Sequence, residues 1–203
     1  MGDRMTHHPD DLIRLFNRCF LQQWNTELVR GEDEPEYVPA SGEYPHHRVV
    51  FAHGFYASAL HETSHWCIAG ERRRQLYDYG YWYCPDGRTA QQQAEFEKVE
   101  VRPQALEWIF SEAAGFRFHI SLDNLSGDGA ADEARFRRAV SQQALRYLDQ
   151  GLPVRAKRFC DALLEAYGQR RQFGPHRFRL PDDTEQRSER ANEWSESIPV
   201  CSE

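Results

Sequence analysis

The chain has 203 residues, 40% hydrophobic and 28% charged, a balance that allows one packed core and argues against wholesale disorder. Its net charge of −7 lacks the basic excess with which a nucleic-acid binder neutralises phosphates. No apolar run approaches the ~20 residues that span a bilayer, and the polar residues 1–10 carry no secretory signal. We therefore expect a cytoplasmic protein that binds neither nucleic acid nor membrane.

The cysteines are odd in number, widely spread, and include no CxxC pair. This pattern excludes a zinc ribbon and argues against a disulfide framework. We predict reduced and mostly buried thiols at Cys19, Cys67, Cys84, Cys160 and Cys201.

Hydrophobic spacing predicts the first elements in chain order. Apolar residues at helical spacing predict a helix over 9–22. A polar stretch over 30–45 leads to a β-branched and aromatic run that predicts a strand over 48–52. A second helix is predicted between Ser58 as its N-cap and Gly70 as its stop.

The rest of the chain is predicted to be mainly helical. The remaining elements are a loop or short strand over 77–83, a turn over 84–87, and helices over 89–97, 104–113, 132–150 and 155–167. Pro103 would open the helix over 104–113, because the first turn does not need its missing N–H. The whole predicts an α+β fold: a mostly helical single domain over 1–180 with a small sheet, and a polar, disordered tail over 181–203.

The predicted second helix carries the HExxH pattern, His61-Glu62-Thr63-Ser64-His65. Residues i and i+4 share a helix face, so both imidazoles can reach one metal ion. Imidazole suits zinc, iron, copper and nickel. Glu62 lies about 100° round the helix from His61, where it can act on a bound water or substrate without being a ligand. The predicted cap and stop favour a metal site over two unrelated surface histidines.

A metal site that is open for chemistry needs a third protein ligand. The metzincin pattern is excluded, because Ile68 and Glu71 occupy the places of its glycine and third histidine. A thermolysin-like zinc enzyme and a non-haem iron oxygenase would both use a carboxylate farther along the chain. The candidates are Glu71, Asp78, Asp86, Glu95, Glu97, Glu100 and Glu107.

Spacing alone separates these candidates only in part. Glu71 ranks low, because it lies beyond the helix stop and about 240° round from His65. Glu100 stands between two valines, where a carboxylate is either exposed by alternation or turned inward to a partner. Glu97, one turn earlier, is the runner-up ligand.

Several long blocks of the sequence resemble the elongation factor P hydroxylase family. They are residues 49–62, 65–70, 79–88, 99–101 and 103–106, with shorter likenesses at 31–35 and 123–125. These blocks are rich in Trp, Tyr, Cys and Gly, which makes the likeness far more specific than HExxH alone. It extends over about residues 7–165.

This resemblance implies that the protein hydroxylates a lysine of its partner, translation elongation factor P, after other enzymes have added a β-lysyl group to it. It implies one Fe(II) ion per chain, bound by His61, His65 and Glu100, with molecular oxygen as co-substrate. Glu62 would then orient a bound water or move a proton as a catalytic residue that is not a ligand. The sequence has no marker for 2-oxoglutarate, which is not predicted.

Two other functions are compatible with the same residues. A zinc metallohydrolase or peptidase would use the HExxH histidines with Glu62 as general base. A non-enzymatic binding module would close the metal site with a fourth ligand, such as His53 or Cys84.

Overall fold

A computed structural model describes residues 7–78, 90–121 and 129–181. Within these ranges the helices are α1 (Pro9–Trp24), α2 (Tyr56–Ile68), α3 (Ala90–Ala114), α4 (Gly129–Gln150) and α5 (Val154–Ala166), and the strands are β1 (Thr26–Arg30), β2 (Glu36–Val38) and β3 (His47–Phe51). The predicted single-domain α+β fold, mostly helical with a small sheet, is confirmed. Each helix among the described residues is either too short or too polar to span a bilayer.

The sheet has the strand order β1-β3-β2, with β1 parallel and β2 antiparallel to β3. The predicted strand over 48–52 corresponds to β3, which ends at Phe51 because Ala52 begins a 3₁₀ turn over Ala52–Gly54. The other two strands were missed. Both are short, and β2 lies within the stretch taken as polar, so that pairing with β3 rather than local composition defines them.

Helix α2 differs from the prediction at its beginning. It starts at Tyr56 with Phe55 as the N-cap residue, so the assignment of Ser58 as N-cap was wrong. The Ser58 hydroxyl instead accepts a hydrogen bond from the backbone N–H of Ala52 at 3.1 Å, which ties the first turn of α2 to the end of β3. The helix ends at Ile68, two residues before the predicted stop at Gly70.

Helix α3 is continuous where two helices were predicted. Pro103 lies inside it and does not open a second helix. An interior proline leaves the carbonyl four residues earlier without its helical partner, here the carbonyl of Val99. Val99 is 47% exposed, whereas Pro103 itself is buried. The helix continues through the proline despite this lost hydrogen bond, so the predicted break was wrong.

The core lies where α1, α2, α3 and α5 meet, and aromatic rings fill it. Trp66 of α2 packs against Phe16 and Phe20 of α1, and Phe159 of α5 contacts Phe110 of α3. Phe16 and Phe20 also contact Phe159, so the ring cluster connects α2 to α3 through α1 and α5. Cys19, Cys67 and Cys160 are buried free thiols, as predicted.

Several predictions fall outside the described residues. They concern most of the aromatic run 77–83, the turn 84–87, Cys84, Cys201, Asp86 and the tail beyond Pro181.

Candidate metal centre

Helices α2 and α3 bring His61, His65 and Glu100 together. The Nε2 atoms of the two histidines lie 3.0 Å apart. The Glu100 carboxylate lies 3.3 Å from Nε2 of His65 and 3.6 Å from Nε2 of His61. In the part of the chain that the structure describes, these residues form the group of potential metal ligands, with one ligand atom of each within 4.8 Å of the others.

The donor set fits a transition-metal ion. Two imidazole nitrogens and a carboxylate oxygen suit iron or zinc. Donors about 2.1 Å from one ion lie about 3.0 Å apart at right angles and about 3.4 Å apart at tetrahedral angles. The Nε2–Nε2 separation of 3.0 Å matches the right-angle value, and the distances of 3.3 and 3.6 Å, which involve different oxygens of Glu100, lie close to the tetrahedral value.

The other candidate ligands are placed elsewhere. Arg135 of α4 donates to Glu97 at 2.9 Å, so the runner-up ligand is paired away from the histidines. Asp78 accepts two hydrogen bonds from Arg73. Glu95 is exposed and paired with Lys98. Glu71 is exposed beyond the end of α2. His53, considered as a fourth ligand, is not in the ligand group.

Opposite charges in this centre stabilise each other. Burial raises the pKa of Glu100, but the hydrogen bond and charge of His65, together with His61, hold it at about 2. Burial by itself lowers the pKa of His61, yet Glu107 first, and then Glu100 and Glu62, raise it above its ordinary value. Three carboxylates thus face two imidazoles, which is an environment that favours a bound cation.

Two further residues of α3 form hydrogen bonds with the potential ligands. A Glu107 carboxylate oxygen lies 2.8 Å from Nδ1 of His61, the ring nitrogen that does not face the other ligands. Gln104 donates to Glu100 at 3.5 Å and to the backbone carbonyl of Ser121 at 2.7 Å, and its own carbonyl accepts from the N–H of Ser121. Gln104 therefore connects Glu100 to the segment after α3.

Sequence reasoning considered Glu107 as a ligand and overlooked Gln104. The signal that could have found both is the spacing of Glu100, Gln104 and Glu107 at i, i+4 and i+7, which places three polar residues on one helix face. All three are buried. The predicted break at Pro103 concealed this spacing.

A cavity of about 850 Å³ opens from the ligand group. Its wall combines acidic, basic and aromatic side chains, including Glu34, Glu36, Tyr37, Glu62, Arg73 and Arg74. The Tyr37 hydroxyl donates to the carbonyl of Arg74, and the Tyr77 hydroxyl donates to Glu36 at 2.7 Å, so hydrogen bonds hold one side of the wall.

Glu62 lies on α2 next to His61, lines the cavity, and is not in the ligand group. Burial raises its pKa, the two histidines lower it, and the neighbouring carboxylates Glu100 and Glu107 raise it further, so that the net pKa lies above the usual value for glutamate. The carboxyl is thus placed beside the ligand group, at the wall of the cavity.

Comparison with known proteins gives two matches that agree. The family described as elongation factor P hydroxylase matches residues 15–178, which include all three potential ligands. The elongation factor P lysine hydroxylase of Haemophilus influenzae is 52% identical over 163 residues, which cover 80% of this chain and 91% of the relative. With that identity and coverage, the chain belongs to the elongation factor P hydroxylase family.

Proposed function

We propose that this protein is an iron-dependent hydroxylase that adds a hydroxyl group to the β-lysylated lysine of translation elongation factor P. Membership of the family supports lysine hydroxylation of that partner. The observation that carries the proposal is the convergence of His61, His65 and Glu100 at a cavity large enough for an extended side chain.

In this proposal His61, His65 and Glu100 hold one Fe(II) ion per chain. Bound iron would supply the activation of molecular oxygen that no amino-acid side chain provides. Hydroxylation inserts one oxygen atom into a C–H bond and reduces the other to water, so the reaction also consumes two protons and two electrons from a reductant. The donor set does not specify 2-oxoglutarate as that reductant, and we do not propose it.

The chain's own residues would bind and orient the substrate. A lysine extended by a β-lysyl group is long and carries ammonium groups. The cavity volume of about 850 Å³ lies in the range of small-molecule sites, roughly 300–1,000 Å³. Carboxylates of Glu34 and Glu36 line it and complement that positive charge, alongside Arg74 and an Arg73 that is paired with Asp78.

We assign Glu62 the role of a catalytic residue that moves a proton in the cavity. Its raised pKa lets the carboxyl hold a proton closer to neutral pH than an exposed glutamate does.

The direct test is a mass measurement. β-Lysylated elongation factor P is incubated in air with the iron-loaded protein and a reductant, and the modified peptide is weighed. We expect a gain of one oxygen atom, its absence with His61→Ala, and its retention with Glu97→Gln, which removes a carboxylate from the same helix outside the ligand group. No gain from the wild-type protein with iron bound and oxygen present would refute the proposal.

A further inference from the structure

The ring of His61 is held from both sides. Its Nε2 atom faces His65 and Glu100, and its Nδ1 atom lies 2.8 Å from a carboxylate oxygen of Glu107. Glu107 lies seven residues after Glu100 on α3, and seven residues are close to two full helical turns. The same face of α3 therefore presents one carboxylate to each side of the His61 ring.

The contact between Glu107 and His61 determines where the imidazole proton lies. A carboxylate can only accept, so His61 must donate through Nδ1–H. A neutral imidazole with its proton on Nδ1 has a lone pair on Nε2, directed towards His65 and Glu100. The opposite tautomer would direct N–H towards the ligand group and place two acceptors against each other at 2.8 Å.

Other acidic residues of α3 show that Glu107 differs from an ordinary helix-to-helix ion pair. Glu97 pairs with Arg135 of α4, and Glu112 pairs with Arg177. Both arginines are permanently charged and at least half exposed, so these contacts connect structural elements. Glu107 is 8% exposed, and its described partner is a histidine of the ligand group.

We propose that Glu107 is a positioning residue that fixes the tautomer and orientation of His61. It thereby sets the affinity of the centre for its metal ion and the geometry of the ligands around that ion. This inference rests on the proposed function, because it requires that His61 bind the metal through Nε2. A carboxylate that accepts from the far nitrogen of a ligand histidine also makes that histidine a stronger donor to the metal.

The first test reads the tautomer in the wild-type protein. With ¹⁵N-labelled histidine and Zn(II) as the probe ion, long-range ¹H–¹⁵N spectra distinguish a protonated Nδ1 from a protonated Nε2. We expect His61 to carry its proton on Nδ1, with slow exchange against water, and Glu107→Gln to shift that signal and so assign it. A His61 that is protonated on Nε2, or bound through Nδ1, would overturn the inference.

The second test compares affinities for Co(II), measured by titration and by its visible absorption. Glu107→Gln keeps an acceptor oxygen without the charge, whereas Glu107→Ala removes the acceptor. We expect affinity to fall in the order wild type, Gln, Ala, by roughly 10–100-fold overall, with a changed spectrum. The matched control, Glu112→Gln, removes a carboxylate of the same helix and should leave both affinity and spectrum unchanged.

The proposed metal centre and the proposed role of Glu107 can be refuted separately. If the wild-type protein binds neither Co(II) nor Zn(II), the proposed metal centre and this inference both fail. If the wild type binds and Glu107→Gln folds and binds with the same affinity and spectrum, only the role of Glu107 is overturned. A thermal melt of each variant shows whether it is folded, and the tautomer measurement does not depend on Glu107→Ala folding.

Discussion

Arg155 closes the end of the helix that carries both histidines, and its replacement should destabilise that end. Its Nη2 atom lies 3.0, 3.1 and 2.6 Å from the carbonyl oxygens of Trp66, Cys67 and Ala69. Its guanidinium carbon also lies 4.8 Å from the centre of the Trp66 ring. These carbonyls belong to the last turn of α2 and the residue after it, where helical partners are lacking. Arg155 therefore satisfies groups that α2 itself cannot.

The magnitude follows from these contacts. One Nη2 atom has two hydrogens, so its three contacts count as about two hydrogen bonds. A hydrogen bond from a charged donor contributes about 1.5–3 kcal/mol, and the partly exposed position of Arg155 favours the low end. The cation–π contact adds about 1 kcal/mol. Arg155→Met, which keeps the length of the stem, should thus lower the free energy of unfolding by about 4 kcal/mol.

The assay is urea denaturation of metal-free protein, followed by Co(II) titration of the folded variant. Arg158→Met is the matched control: Arg158 lies on the same helix over the Trp24 ring, donates to the side chain of Gln23, and is exposed. It should cost about 1 kcal/mol or less. Co(II) affinity should fall only with Arg155→Met, since His65 lies in the turn that frays. Equal and small losses for the two variants would refute the reasoning.

Three further predictions concern the ligand group and its pH dependence. Glu100→Gln should weaken Co(II) binding by more than the ~10–100-fold that is typical of residues supporting a ligand. Glu97→Gln should leave Co(II) binding unchanged. The reverse result would make Glu97 the third ligand in place of Glu100. Glu62→Gln should leave Co(II) affinity intact and slow hydroxylation by up to the ~10²–10⁴-fold that a positioned acid or base contributes. If the wild-type protein instead shows peptidase activity without incorporating oxygen, and Glu62→Gln abolishes that activity, the zinc metallohydrolase is favoured. Because its carboxylate neighbours raise the pKa of His61 above 6.5, a metal ion must displace a proton there at neutral pH. Apparent Co(II) affinity should therefore rise with pH above 6.5, and calorimetry in buffers of different ionisation enthalpy should detect proton release; affinity independent of pH would contradict this.

Helices α1, α4 and α5 could be predicted from sequence because their signals are local. Leu12, Phe16 and Phe20 repeat at helical spacing and are fully buried in α1. The strands β1 and β2 could not be predicted in the same way, because they are defined by partners. Leu28 and Tyr37 both pair with Val49, and nothing in the neighbouring sequence of either residue specifies that strand.

One part of the candidate site is set within a single helix, and the other part depends on how two helices pack. HExxH fixes the relation of His61 to His65 within one helix, so its geometry could be predicted from spacing. Which carboxylate joins them depends on how α3 lies against α2, and spacing left Glu97 and Glu100 open. The two differ by three residues, which places them about 60° apart around the helix and about 4.5 Å apart along it; this offset separates a potential ligand from a contact with α4.

The misread role of Pro103 explains why the sequence did not reveal Gln104 and Glu107 as neighbours of Glu100. If a helix began at Pro103, Glu100 would precede it, and the alignment of Glu100 with Gln104 and Glu107 would be lost. The helix continues through the proline, and the carbonyl of Val99 that loses its partner lies at an exposed residue. An interior proline costs about 3 kcal/mol relative to alanine, and the burial of α3 from Pro103 onwards offsets this cost. Because the helix is unbroken, Glu100, Gln104 and Glu107 lie in one buried row beside the potential ligand His61.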